Sequence, residues 1–266
     1  MIVRINAYGF LNMENKEASV MKGKKGWTQR ACLCLMVFLI GLSGLAGASS
    51  REEVYDRELD TLYTMVQSGS SYILFGEERE DLMAVWEGVR NLSPDQGLEA
   101  VKYQLLDCNG DGKPELLLSQ DNRITNLFTI RDGQLHQVFS GFYRNAWYYL
   151  GNGRFLNQGS GGGASLSILG EYHLDGNGNL VCESYYFTHW DPAVEKMEVY
   201  WNTFGVPDIT LSEKKDMTMD QFGKLQEKLR NKVKKLSWKS LARYGKGRVD
   251  DVEGKARVTA AGKVKR

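Results

Sequence analysis

Residues 107–118 read "DCNGDGKPELLL". Asp107, Asn109 and Asp111 alternate, Gly112 follows, and Glu115 opens an apolar run that ends at Leu118. The flanks are "KYQLLD" (102–107) and "PELLLS" (114–119), short segments with the length and composition of strands. The stretch therefore reads as a polar turn between two paired strands. It decides the fold because the hydrophobic period changes on either side of it.

Before the turn the period is helical. "REEVYDRELDTLYTMVQ" (51–67) places Val54, Tyr55, Leu59, Leu62, Tyr63 and Val66 on one face, and Gly69 among serines stops it. "EEREDLMAVWEGVRNL" (77–92) repeats the pattern through Leu82, Val85, Trp86 and Val89. Ser93, Pro94 and Asp95 supply an N-cap, a first-turn proline and an early acid for a short helix over 94–101. After the turn the period is two. Hairpins are expected at 127–139 about Asp132-Gly133, at 146–158 about Asn152-Gly153, and at 166–189 about 175–179, with a further strand over 196–202. Thr218 then caps a helix over 219–236 with Phe222, Leu225, Leu229, Val233 and Leu236 along a stripe, and "SWKSLARY" (237–244) packs back on the body. Helices, then strands, then a helix predict an α+β fold: N-terminal helices, an antiparallel β-meander carrying the loop, and a C-terminal helix.

The loop's chemistry is all oxygen. Calcium is a hard cation that takes six to eight oxygen ligands. Asp107, Asn109 and Asp111 offer side-chain oxygens at alternate positions, and Gly110 and Gly112 admit the positive φ of a tight turn. The Lys113 carbonyl stands at the seventh position and Glu115 at the ninth. Three carboxylates this close repel one another without a cation. An EF-hand would need a bidentate Glu at position twelve, which here is Leu118. The strand after Glu115 accounts for this, since it carries Leu118 along a sheet rather than back to an ion. The spacing matches strand–loop–strand calcium loops of the kind found in integrin-type propeller repeats. A metal-free hairpin is the competing reading.

Other motifs carry less. "LDGNGNL" (174–180) has Asp175, Asn177 and Asn179 but no later acid, and reads as a plain turn. "GSGGGAS" (159–165) lacks the Gly-Lys-[Ser/Thr] ending of a phosphate loop and leads into a strand, so a flexible loop or close backbone approach is expected. The three histidines, His136, His173 and His189, form no zinc motif and are expected to be structural or exposed. Aromatics in "GFYRNAWYYLGNGRF" (141–155) would line a glycan groove or, at strand spacing, fill the core.

Charge is unevenly distributed. Residues 49–212 hold 11 Lys+Arg and 24 Asp+Glu, a net of −13, whereas 213–266 hold 17 and 7, a net of +10. The acidic body argues against nucleic acid, while the basic end suits a cell wall or other anionic surface. Residues 21–48 combine a basic head, an apolar run and Ala46-Gly47-Ala48, the parts of a secretory signal peptide cleaved before Ser49. The expected organisation is a signal segment with a dispensable extension over 1–48, one domain over 49–244 and a disordered basic tail over 245–266. Cleavage would leave no stable membrane span. Cys108 and Cys182 would remain, in a compartment where a bridge is open to them.

"YQLLDCNGDGKPELLLS" resembles the Y-x-L-x-D-[IL]-[ND]-G-[DN]-G-x-x-E-L-[LI] signature of secreted proteins and lipoproteins of Firmicutes, many from Clostridia. "WKSLARY" (238–244) resembles their W-x-x-[LI]-x-x-Y ending. The resemblance covers most of 51–244 and implies location and calcium rather than activity. Cys108 departs from the usual apolar residue, and no lipobox cysteine is present at the cleavage point. The sequence thus points to a secreted, non-catalytic calcium-binding domain held by Asp107, Asn109, Asp111, the Lys113 carbonyl and Glu115. A surface or carbohydrate-binding module and an extracellular hydrolase with a spatially assembled site are the alternatives.

Overall fold

The computed structural model describes residues 51–245 apart from 70–71, 74–76, 79 and 162–164. The expected signal segment over 1–48 and the expected tail, from 246 onward, lie outside the described residues.

Helix α1 (Arg51–Ser68) buries Val54, Tyr55, Leu59, Leu62, Met65 and Val66 and ends at Gly69, which turns the chain with φ +66°. Met65 takes the place expected of Tyr63, which sits half-buried at the stripe's margin. Strands β1 (Tyr72–Ile73) and β2 (Glu77–Glu78) pair as a small hairpin. The helix expected over 77–92 is therefore shorter. A 3-10 turn over Glu80–Leu82 runs into α2 (Met83–Val89), and Leu82, Val85 and Val89 are buried. Helix α3 (Pro94–Ala100) starts at the expected place. The Ser93 hydroxyl accepts from the Gln96 amide, and the Gln96 side chain accepts from the Ser93 amide, a reciprocal capping box.

The rest is mostly strand: β3 (Lys102–Leu106), β4 (Glu115–Gln120), β5 (Arg123–Arg131), β6 (Gln134–Ser140), β7 (Asn145–Gly151), β8 (Arg154–Gly161), β9 (Leu166–Leu174), β10 (Leu180–Asp191), β11 (Lys196–Asn202) and β12 (Glu213–Lys215), followed by helix α4 (Met219–Arg230) and β13 (Lys239–Ser240). One antiparallel sheet runs β12-β11-β10-β9-β8-β7-β5-β4-β3-β13, so the expected meander is present. β6 leaves that path. It pairs with β5 over Asn126–Arg131, while β7 meets the same β5 edge at Ile124.

Alternation along the strands sorts side chains onto two faces. Along β7, Trp147 and Tyr149 face one way and Ala146 and Tyr148 the other. The inner face gathers Leu117, Leu127, Phe139, Trp147, Phe155, Tyr172, Tyr185 and Phe187 from strands β4 to β10 into one buried cluster. The sheet curls around this cluster, because turns far apart in the strand order touch. The Arg131 guanidinium (β5) donates to the Gly178 carbonyl in the β9–β10 turn, and the Asn109 amide after β3 donates to the Asp175 carbonyl. Outside the curl, α1–α3 cover Leu116, Leu118, Phe128 and Ile130. On the same outer side, α4 lays Phe222 and Leu229 over Tyr148, Leu156, Leu169 and Val199.

Helix α4 begins at Thr218 with a second capping box, to Gln221, but stops at Arg230 rather than at 236. Leu236 and Trp238 pack with the inner cluster instead of the helix stripe. The Lys234 amide donates to the Tyr149 carbonyl, and Lys239–Ser240 pair with β3, which needs extended chain. The expected docking of 237–244 is seen: Leu241 is fully buried and the Tyr244 hydroxyl contacts the Asp60 carboxylate at 2.8 Å. Cys108 and Cys182 are both free thiols.

Candidate functional site

The loop between β3 and β4 winds on its own acids. Asp107 Oδ1 and Oδ2 accept from the Gly110 and Gly112 amides at 2.7 and 2.9 Å. Asn109 Oδ1 accepts from the Asp111 amide at 3.1 Å, and Asp111 Oδ1 accepts from the Lys113 amide at 2.8 Å. Gly110 and Gly112 take φ of +77° and +79°, the conformation for which their lack of a side chain fits them. Tyr55 of α1 donates its hydroxyl to the Pro114 carbonyl and fixes the loop's exit.

Glu115 sits behind the turn. It shares the inner face with Leu117 and is 1% exposed. Its Oε2 accepts from the Cys108 amide at 2.8 Å, and its Oε1 from the Thr129 hydroxyl at 3.3 Å. Burial pushes its carboxyl above the ordinary range, the charges of Asp111 and Asp107 add to this, and the two hydrogen bonds oppose it. Burial also pushes the Cys108 thiol up, so the thiol stays protonated.

The structure thus brings Asp107, Asn109, Asp111 and Lys113 onto one turn and places Glu115 beneath it. Every side-chain donor is an oxygen, and a carboxylate oxygen holding one amide keeps a further lone pair. None of the three carboxylates is ion-paired with a Lys or Arg among the described residues. In this conformation, no group of three His, Cys, Asp or Glu side chains among the described residues stands close enough to hold one ion. Thr129, the Asp175 carbonyl and Gly153, which lies against the Cys108 carbonyl, complete the surroundings. Sequence reasoning missed all three: Thr129 lies across from Glu115 on the adjacent strand β5, and only the curl brings Asp175 and Gly153 there.

The lesser motifs fall as follows. Asp175 Oδ1 accepts from the Asn177 and Asn179 amides at 2.9 and 2.7 Å, the plain hairpin turn expected. Gly159 takes the close-approach role, its Cα facing the Arg144 carbonyl, while 162–164 lie outside the described residues. His136 and His189 are exposed, and His173 Nδ1 lies 3.2 Å from Glu183. Of the aromatics of 141–155, Trp147, Tyr148 and Phe155 are buried in the core, Tyr149 is half-buried, and Phe142 and Tyr143 are exposed. A second group that sequence reasoning missed, Glu198, Tyr200 and Lys214, is assembled from two strands.

These features define a large curled antiparallel sheet with helices packed outside it and an acidic loop at one end. No protein-family model matches the chain, and no curated protein or solved structure is significantly similar to it. Among the described residues, no helix is long and apolar enough to cross a membrane.

Proposed function

We propose that the chain is a secreted α+β domain that binds calcium in the 107–115 loop and performs no catalysis, the ion serving to hold the fold. The observation that carries this reading is the arrangement of the loop's acids: Asp107 and Asp111 are wound into one turn, Glu115 is buried beneath it, and none of the three is ion-paired with a Lys or Arg among the described residues. Asp107, Asn109, Asp111 and the Lys113 carbonyl would hold the ion from the turn, and Glu115 from behind it. The basic, apolar and A-x-A parts of residues 21–48 support secretion. The basic tail supports contact with a cell wall or other anionic surface.

Calorimetry and melting in calcium or chelator test the reading. Extracellular modules bind with a Kd of about 10⁻⁴–10⁻³ M. Calcium at ~10 mM would then stabilise by roughly 1.4–2.7 kcal/mol. For a domain of this size that raises Tm by roughly 3–11 °C. Asp111→Ala should abolish the increment. An equal Tm in both buffers, or a calcium response that survives Asp111→Ala, would remove the reading.

A further inference from the structure

The inner face continues beyond its apolar core. At the β10–β11–β12 margin, the register sets Phe187, Tyr200 and Lys214 in one row, with His189 opposite Glu198 in the next row of the same face. Phe187 is the last buried ring of the inner cluster and stacks on Tyr200 with centroids 5.5 Å apart and planes 19° apart. His189 meets Tyr200 edge-on at 6.2 Å. Tyr200 is half-buried and His189 exposed. Beside these rings Glu198 is 4% exposed. Its Oε1 lies 2.5 Å from Lys214 Nζ, and its Oε2 accepts from the Tyr200 hydroxyl at 3.2 Å. The Lys214 side chain is 57% exposed.

A buried carboxylate at a sheet margin is costly unless paired. Here its charge is met by an ammonium that still faces water. An ammonium has three donors, and the phenol oxygen keeps acceptor capacity. The margin therefore sets the half-buried Tyr200 ring, one face of it on Phe187, beside an exposed ammonium in a pair that carries no net charge. An anion would be repelled by Glu198 and by Asp191, whose charge reaches both Tyr200 and Lys214. A cation would be repelled by Lys214. A sugar ring fits both demands: its C–H face lies on an aromatic plane, and each hydroxyl donates and accepts.

We propose that this margin is a shallow binding site for a neutral saccharide, with Tyr200 as the stacking platform, the exposed Lys214 ammonium and the Tyr200 hydroxyl as hydroxyl partners, and the buried Glu198 holding both in place. The site does not depend on calcium in the loop. Saturation-transfer NMR and calorimetry on the purified chain, with cellotetraose, mannotetraose and the tetramer of N-acetylglucosamine as neutral probes and tetragalacturonate as the anionic one, test it. At least one neutral probe should bind, with tetragalacturonate at least tenfold weaker. Tyr200→Ala should weaken binding tenfold or more, and Tyr200→Phe by only a few fold. Glu198→Gln should also weaken it tenfold, with Lys214→Met, altered at an exposed side chain, as the second variant if Glu198→Gln melts early. Silence of all neutral probes at millimolar concentration overturns the proposal. So does tighter binding of tetragalacturonate, or binding that survives Tyr200→Ala with a normal melting curve.

Discussion

The curl of the sheet makes a sharp claim about two glycines. Asp132-Gly133 and Asn152-Gly153 are matched two-residue hairpin turns, with φ of +51° and +75° in the first and +51° and +70° in the second. Gly133 has nothing within 4 Å of where a Cβ would stand. At Gly153 the same atom would lie 2.5 Å from the Cys108 carbonyl oxygen, a backbone atom that cannot swing aside. Gly133→Ala should therefore cost only the left-handed penalty, about 1–2 kcal/mol. Gly153→Ala should cost that and an overpacking term of about 1–3 kcal/mol. At 2–4 °C per kcal/mol, Tm should fall by roughly 2–8 °C for the first and roughly 4–20 °C for the second. Thermal melts followed by far-ultraviolet circular dichroism, in calcium and in chelator, read both. Because Gly153→Ala displaces Cys108 and Asn109, it should also shrink the calcium increment, which Gly133→Ala should leave alone. Equal losses in the two variants would refute the packing of the 152–153 turn on the loop, and with it the curl.

Two further expectations follow from burial. The folded-state pKa of Glu115 is raised above its ordinary 4.5, so the folded protein holds that proton more tightly than the unfolded chain does. In chelator, stability present below about pH 4.5 should be lost as pH rises through the raised folded value. Calcium or Glu115→Gln should flatten that slope, and a melting profile in chelator that rises across the same window with Glu115 intact would contradict it. Phe155, fully buried at the centre of the inner cluster, should cost about 3–5 kcal/mol on Phe155→Ala, measured by urea unfolding. A loss below 1 kcal/mol would mean that the inner face is not packed as described.

The local elements were largely legible because their signals are local. Asp132-Gly133 and Asn152-Gly153 mark hairpins by their own backbone preferences, and Ser93 and Thr218 mark helix starts by the hydroxyl each offers. Where signals are long-range, reading from sequence overran or missed. Asp121 and Asn122 form a turn with φ of +50° and +60° without any glycine to announce it. The apolar stripe of α4 continues past Arg230 in sequence, yet Leu236 belongs to another cluster across the sheet. The loop's oxygens were legible as a spacing. Their neighbours were not, because Thr129 meets Glu115 only through the β4–β5 register, and Gly153 and Asp175 reach the loop only through the curl.

The position of the loop bears on what a bound ion would do. A sheet this wide needs something to keep its two halves closed over the inner face, since in-register pairing fixes only adjacent strands. At the loop end, closure rests on contacts between turns: Asn109 on Asp175, Arg131 on Gly178 and Gly153 against Cys108. Two of these three involve residues 108–109, the segment wound on Asp107 and anchored through the Cys108 amide to Glu115. An ion that offset the repulsion among Asp107, Asp111 and Glu115 would therefore stiffen the point where β3–β4, β7–β8 and β9–β10 meet. On that geometry, calcium in this loop would restrain the curvature of the whole sheet and not one hairpin, which is the structural role proposed for it.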